Sequence, residues 1–296
     1  MNNIYDSIII GAGISGMTAA IYLKRYNLNV LIIEKEIPGG QISKASIIEN
    51  YPGIEKIDGI TLSTNLLKQI ENLKLKLNYE EVKEIKEENN IKIVKTEKNE
   101  YKTKSIIIAT GRRPKSLNIG EEEYIGKGLS YCATCDGMLY KDKNVIVVGG
   151  GNSALEESLY LSDICKKVTI LNRSNKLKAD EILVNKVQTK ENIEILYNEE
   201  IRNIKEENDK IIGIITKSNK EIICDGIFVY IGLTPNTEFL TEIQKENEYI
   251  LVNKNQETNI KGIYAVGDVT KKQLYQLVTS ASDGAIAANH IKNSIQ

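Results

Sequence analysis

The chain has 296 residues, room for about two domains of ordinary size, and carries 39 Lys+Arg against 40 Asp+Glu, a net charge of −1. With 27% charged and 41% hydrophobic residues it has the composition of a soluble globular protein, and the even charge balance argues against a nucleic-acid groove, which needs a basic surplus. A single histidine, His290, leaves no room for a Ser-His-Asp triad, a Cys-His pair or a multi-histidine metal site, so the chemistry must proceed without imidazole.

The first residues, Met1 to Asp6, lack a basic n-region, and the apolar run Ile8-Ile9-Ile10 is cut at once by Gly11, which predicts neither a signal peptide nor a membrane span. Four cysteines are too few for a secreted disulfide scaffold, so a reducing cytoplasm is the expected compartment. Residues 7–35 read as strand, glycine turn, helix, strand. In Gly11-x-Gly13-x-x-Gly16 the glycines allow a tight turn, close backbone approach to a pyrophosphate and helix packing on the strand. Glu34 ends the second strand, 23 residues after Gly11, and is placed to accept hydrogen bonds from ribose hydroxyls. Two turn-rich segments follow, Pro38-Gly39-Gly40-Gln41 and Glu49-Asn50-Tyr51-Pro52-Gly53. A Lys/Glu-rich stretch over 68–104 predicts the solvated side of a sheet, and Ile106-Ile107-Ile108-Ala109-Thr110-Gly111 predicts a buried parallel strand ending in glycine.

Next comes Cys132-Ala133-Thr134-Cys135-Asp136-Gly137. Two thiols at C-x-x-C spacing can close a small disulfide ring at a helix start, where the dipole and free amides lower a thiolate pKa. Zinc is the rival reading, but it needs two further ligands. Cys165, Cys224 and His290 are distant in sequence, and the two cysteines read as buried and inert. Asp136, directly after the second thiol, is the candidate for moving the proton of dithiol–disulfide exchange, with a plain capping or surface role as the other reading. One thiolate would open a substrate disulfide and the other resolve the mixed disulfide, leaving an internal disulfide to be reduced again.

Residues 145–173 then repeat residues 7–35 without gaps, at an offset of 138 from Gly11 to Gly149. A second offset of 119 pairs Glu80-Glu81-Val82 with Glu199-Glu200-Ile201, so the first copy holds 19 extra residues, rich in turns, beside its glycine motif. Each copy is a βαβ unit plus a small antiparallel layer, and the enlarged first copy is expected to take the bulkier ligand. Gly149-Gly150-Gly151-Asn152-Ser153-Ala154 predicts a second dinucleotide site formed by Gly149, Gly151, Asn152, Ser153 and Ala154. Here Asn172 takes the place of Glu34, followed by Arg173 with Lys178 nearby. Loss of the carboxylate beside a guanidinium favours a 2′-phosphate, hence NADPH over NADH. A second buried run, Ile227 to Gly232, closes this copy. Near the C-terminus a strand ends on Gly267-Asp268, where a carboxylate can bind flavin ribityl hydroxyls, and residues 276–288 look helical and return the chain to the first domain. Two dinucleotide sites have a joint use when one nucleotide donates hydride and the other is a flavin, FAD, in the enlarged copy.

Taken together, GAGISG at 11–16, PGGQ at 38–41, ENYPG at 49–53, ATG at 109–111, CATCDG at 132–137, GGGNSALEE at 149–157, IGLTPNT at 231–237 and AVGDV at 265–269 resemble the bacterial low-molecular-weight thioredoxin reductases, class II of the FAD-dependent pyridine nucleotide-disulfide oxidoreductases. The resemblance spans nearly the whole chain, and CATCDG between the two glycine turns is its most specific motif. It implies an α/β fold of two Rossmann-like three-layer nucleotide-binding domains, each with a small antiparallel β layer, the second inserted in the first. The FAD domain would be 1–112 plus 246–296 and the NAD(P)H domain, with the dithiol, 115–242. It also implies a homodimer and a rotation between domains about hinges near 112–118 and 236–246. The implied activity passes electrons from NADPH through FAD and the Cys132/Cys135 pair to thioredoxin. Cys135 would be the flavin-proximal thiol, Cys132 the exchanging thiol and Asp136 the acid–base group, with Gly39, Gly40, Gln41, Asn50, Val82, Thr110, Gly111, Gly267, Asp268 and Gln276 at FAD.

The chain also departs from the pattern. The His-Arg-Arg-x-x-x-Arg run of NADPH-using members is here Asn172-Arg173-Ser174-Asn175-Lys176-Leu177-Lys178, which keeps NADH possible. The stretch LKADEILVN at 177–185 is similar to the NADH-linked flavoprotein subunit of alkyl hydroperoxide reductase, so a reductase of a peroxiredoxin or glutaredoxin-like protein is the alternative. A basic residue often precedes the glutamine of the last helix; here it is Tyr275. A ferredoxin-linked flavin electron-transfer enzyme is a further alternative, against which the intact GGGNSA turn argues.

Overall fold

The computed structural model describes residues 4–45 and 48–295; residues 1–3, part of the N-terminal stretch weighed above as a signal, lie outside it. The chain forms two compact units, Met1–Arg113 with Thr234–Gln296, and Pro114–Leu233.

The first unit opens with β1 (Tyr5–Ile10), α1 (Ile14–Arg25) and β2 (Val30–Glu34). It continues through α2 (Gly59–Asn72), β3 (Lys76–Tyr79), β4 (Val82–Glu88), β5 (Ile91–Thr96) and β6 (Glu100–Ile108), and leaves through β7 (Arg112–Pro114). The Ile-rich runs of β1, β2 and late β6 suit strands covered on both faces. They pair in parallel, with Ile9 beside both Ile32 and Ile107. Early β6 also runs antiparallel to β5, and β5 to β4, so meander and parallel centre share one seven-stranded sheet. Asp58 caps α2, its carboxylate accepting the Thr61 N–H at 2.8 Å.

The second unit contains β8 (Leu129–Ser130), the one-turn helix α3 (Ala133–Asp136), β9 (Asn144–Val148), α4 (Asn152–Ser162), β10 (Lys167–Asn172), α5 (Glu181–Gln188) and β11 (Ile193–Tyr197). Then come the antiparallel strands β12 (Ile201–Glu207), β13 (Lys210–Thr216) and β14 (Glu221–Ile223), and the closing strand β15 (Gly226–Val229). A five-stranded parallel sheet runs β11-β10-β9-β15-β8, and β12-β13-β14 form a separate sheet. The chain leaves through β16 (Leu233–Pro235), which pairs with β7. The Lys115 N–H donates to Gly232 O at 3.0 Å, tying the two ends of this unit together, and the Asn236 N–H donates to Gly111 O at 3.0 Å across the matching gap in the first.

The first unit resumes with the short pair β17 (Lys245–Glu246) and β18 (Tyr249–Ile250), then β19 (Ile263–Ala265), which joins β6 in parallel. The final helix α6 (Leu277–Ile295) outruns the expected 276–288. It lies so close to α1 that a Cβ on Gly284 would fall 2.2 Å from the Ser15 carbonyl oxygen. The single histidine, His290, sits on α6 with Nδ1 2.9 Å from the Tyr264 hydroxyl. One side of the sheet is packed by Met17, Leu23, Ala287 and Ile291 from α1 and α6. The other is packed by Val94, Leu240, Ile243 and Ile250.

The expected architecture, two Rossmann-like α/β units each with an antiparallel layer and the second inserted in the first, is present; one boundary is corrected. The return to the first unit, expected after residue 242, occurs at Leu233/Thr234. Leu240 and Ile243 are buried in the first unit's core, and Asn236 Nδ2 donates to Thr110 O at 2.7 Å while Thr110 Oγ1 donates to Asn236 O at 2.8 Å. Among the described residues no helix is long and apolar enough to cross a membrane.

Candidate active site

The two glycine turns are built alike. Gly11 (φ +107) and Gly149 (φ +141) lie in the left-handed region, and a Cβ there would fall 2.4 Å from Ala109 O and 2.2 Å from Tyr230 O, the residues that follow β6 and β15. Only glycine fits. Two residues on, Gly13 and Gly151 are the N-caps of α1 and α4, neither helix has a side-chain cap, and a Cβ on either glycine would meet nothing within 4 Å. Both helices therefore present uncapped N–H groups to open space, the arrangement that receives a pyrophosphate.

In the first unit, Gly11, Gly13, Glu34, Gly39, Gly40, Gln41, Asn50, Val82, Thr110, Gly111, Asp268 and Gln276 all line one cavity of about 1220 Å³. Gly16 and Gly267 stand behind its wall, where a Cβ would fall 2.1 Å from Gly11 O and 2.5 Å from Ser15 Oγ. Glu34 accepts the Ala12 N–H at 2.7 Å and the Glu36 N–H at 2.9 Å, which fixes its carboxylate at the cavity edge with acceptor capacity remaining. Asn50 donates to Gln276 Oε1 at 3.1 Å, and Gln41 to Arg112 O at 2.9 Å. The size of the cavity, its glycine cradle and the bare α1 N-terminus fit a dinucleotide carrying a large ring.

Arg112 was missed by sequence reasoning. Its guanidinium donates to Asp268 at 2.7 Å and lies 4.1 Å from the centre of the Tyr275 ring, a cation–π contact. The position before Gln276 is thus tyrosine, and β7 brings a cation onto it. Ser280 completes the clasp, donating to Asp268 at 3.0 Å. The signal was the Arg pair after ATG, but its partners lie more than 150 residues away.

In the second unit Cys132 and Cys135 form a disulfide at the start of α3. Ser130 accepts the Cys132 N–H at 3.0 Å and donates to Asp136 at 2.6 Å, so the carboxylate following the second sulfur is held by the residue preceding the turn. The Ala133 N–H is taken by the Tyr230 hydroxyl at 2.6 Å. Burial, then the Glu157 charge, pushes the Tyr230 phenol well above its ordinary pKa, so it stays protonated. Beside the disulfide, Met138 and Leu139 are 61% and 70% exposed, an apolar pair on open surface. Cys165 and Cys224 are buried, and burial pushes their thiols up to about 11 and about 12, the mark of inert cysteines. No cluster of three or more potential metal ligands occurs among the described residues.

At the second glycine turn Asn152 and Ser153 are exposed and Ala154 is buried. Asn152 and Asp180 exchange two hydrogen bonds of 2.8 Å. Asn172, at the place of Glu34, is buried and its amide donates to Ser174 O and Lys176 O at 2.9 Å, closing the loop. The Lys178 N–H donates to Gly150 O at 2.7 Å, which sets Lys178 beside the turn. Arg173 and Lys178 are exposed, and neither joins an ion pair among the described residues.

Comparison with known proteins agrees with this geometry. The model of the pyridine nucleotide-disulphide oxidoreductase family matches residues 5–285. Thioredoxin reductase of Bacillus subtilis is 41% identical over 301 residues, covering 99% of this chain and 95% of the relative. Among solved structures, Lactococcus lactis thioredoxin reductase in its FR conformation superposes with a TM-score of 0.88 at 41% identity and 98% coverage of both chains. T. acidophilum thioredoxin reductase gives a TM-score of 0.85 at 35% identity and 99% coverage of both chains. The chain belongs to the pyridine nucleotide-disulphide oxidoreductase family, whose chemistry joins a nicotinamide nucleotide, a flavin and a disulfide.

Proposed function

We propose that the chain is a thioredoxin-disulfide reductase that takes hydride from NADPH, holds FAD in the first unit and passes electrons through Cys132/Cys135 to thioredoxin. The observation that carries this reading is the Cys132–Cys135 disulfide set in the same unit as an open glycine turn, in a chain whose other unit has a dinucleotide-sized cavity. FAD, when bound, supplies the means to accept a hydride and release its electrons to sulfur. The α1 N-terminus would hold its pyrophosphate, Glu34 its ribose, and Asp268, Asn50, Thr110 and Gln276 the remaining polar groups. In the second unit the α4 N-terminus would hold the pyrophosphate of NADPH, and Arg173 and Lys178 its 2′-phosphate.

For the exchange itself, Cys132 would attack the partner's disulfide and Cys135 resolve the mixed disulfide, with Asp136, oriented by Ser130, moving the proton. The exposed Met138 and Leu139 offer an apolar contact to a protein substrate. The thioredoxin reductases matched along the whole chain favour thioredoxin over a peroxiredoxin-type or ferredoxin-linked partner. A homodimer in the cytoplasm belongs to the same proposal. The test is anaerobic titration of the purified protein, after FAD addition, with NADPH and with NADH, then turnover with oxidised thioredoxin. Bleaching by NADPH and thioredoxin-dependent NADPH oxidation are expected; a colourless protein after FAD addition, or no thioredoxin reduction with either nucleotide, overturns the reading.

A further inference from the structure

The Ala133 N–H is the first donor of α3, it belongs to a fully buried residue, and it lies between the two sulfurs in sequence. A buried amide needs a partner, and this one has a side chain from 97 residues away. Tyr230 is itself firmly placed. Its N–H donates to Val148 O at 2.7 Å, and its carbonyl oxygen is the atom against which Gly149 packs. The ring is half-buried beside the core of the second unit, among residues that include Phe228 and Ala133. One residue thus seats the second glycine turn with its backbone and holds the dithiol turn with its hydroxyl. At the corresponding seat of the first unit stands Ala109, whose side chain can hold nothing.

We propose that Tyr230 is a positioning residue for the redox pair, its hydroxyl accepting the Ala133 N–H more tightly in the disulfide form than in the dithiol form and so setting the balance between them. With the S–S bond closed, Cys132 and Cys135 pin the turn and Ala133 cannot seek another partner. With the bond open, the turn has freedom to offer that N–H elsewhere, and loss of the phenol matters less. Removing the hydroxyl therefore selectively weakens the closed form. A hydrogen bond of this kind is worth a factor of about five in an equilibrium. The proposal rests on the reading of Cys132/Cys135 as a redox pair.

The test is direct. Holoenzyme, wild type and Tyr230→Phe, is equilibrated with defined ratios of reduced and oxidised dithiothreitol. In that exchange the Cys132–Cys135 S–S bond breaks as the S–S bond of cyclic dithiothreitol forms, and two hydrogens pass to the protein sulfurs. Free thiols are alkylated and the modified fraction is read by mass. The expected result is a ratio of dithiol to disulfide about fivefold higher in the variant, with little change in the melting temperature of the reduced protein. A bond serving only the fold would weaken both forms alike, so an unchanged ratio overturns the proposal. A second measurement needs no variant: hydrogen exchange at Ala133 in the wild type should be at least about fivefold slower in the disulfide form than in the dithiol form, and equal protection in both overturns the proposal. If the wild-type pair cannot be reduced by dithiothreitol at all, it is the redox reading of the cysteines that falls.

Discussion

Glu157 lies on α4, the helix opened by the second glycine turn, and one of its carboxylate oxygens is buried without a hydrogen-bond partner. Burial first, and the neighbouring Glu156 charge second, push its pKa from an ordinary 4.5 to about 7. The unfolded chain binds fewer protons here than the folded one between those values. The stabilising contribution is therefore full below the ordinary value and is lost as pH rises through about 7. Glu157→Gln, which cannot ionise, should gain stability relative to wild type between pH 5 and pH 8. Paired urea unfolding curves at the two pH values check this, and a constant difference between the proteins would contradict it. At the nucleotide turn, Arg173→Ala and Lys178→Ala should each raise KM for NADPH about tenfold with little effect on NADH, the signature of a lost phosphate contact. Equal effects on both nucleotides would remove these side chains from the 2′-phosphate site. The glycine turns were legible in the sequence because local backbone geometry demands glycine there, and Glu34 and the cysteine pair because their chemistry shows in a short, fixed spacing along the chain. Arg112 and Tyr230 were not, because each acts through a partner that only the folded chain brings near.

Among the elements, the repeated strand–turn–helix units could be read directly, since their apolar runs and glycines recur at a fixed offset. The segment after β16 could not. Residues 234–245 carry neither a continuous apolar run nor a repeat, and their allegiance depends on Leu240 and Ile243 finding the first unit's core. The close approach of α1 and α6 was similarly hidden, although α6 itself was expected. It supplies a sharp test of packing. In Gly284→Ala the added methyl meets backbone, the Ser15 carbonyl at 2.2 Å and the Ala19 nitrogen at 3.1 Å, so the helices must separate. The expected cost is about 1–3 kcal/mol, seen as a melting temperature lower by roughly 2–4 °C per kcal/mol for a unit of this size. A melting temperature equal to that of wild type would show that the two helices yield freely.

For the molecule as a whole, two bonds noted at the crossings have a consequence for how it can be taken apart. Lys115 to Gly232 and Gly111 to Asn236 each join chain ends that a cut at 113/114 and 233/234 would create. The inserted unit is thus a cassette whose termini already meet, and the host is left with a gap that a few flexible residues can bridge at small entropic cost. Residues 114–233 expressed alone should fold cooperatively and keep their disulfide, and residues 1–113 joined to 234–296 by a short glycine linker should still take up flavin; calorimetry and absorbance on the separated pieces decide both. Success would turn a single reductase into two interchangeable parts, so that a foreign nucleotide module could be grafted into the same socket.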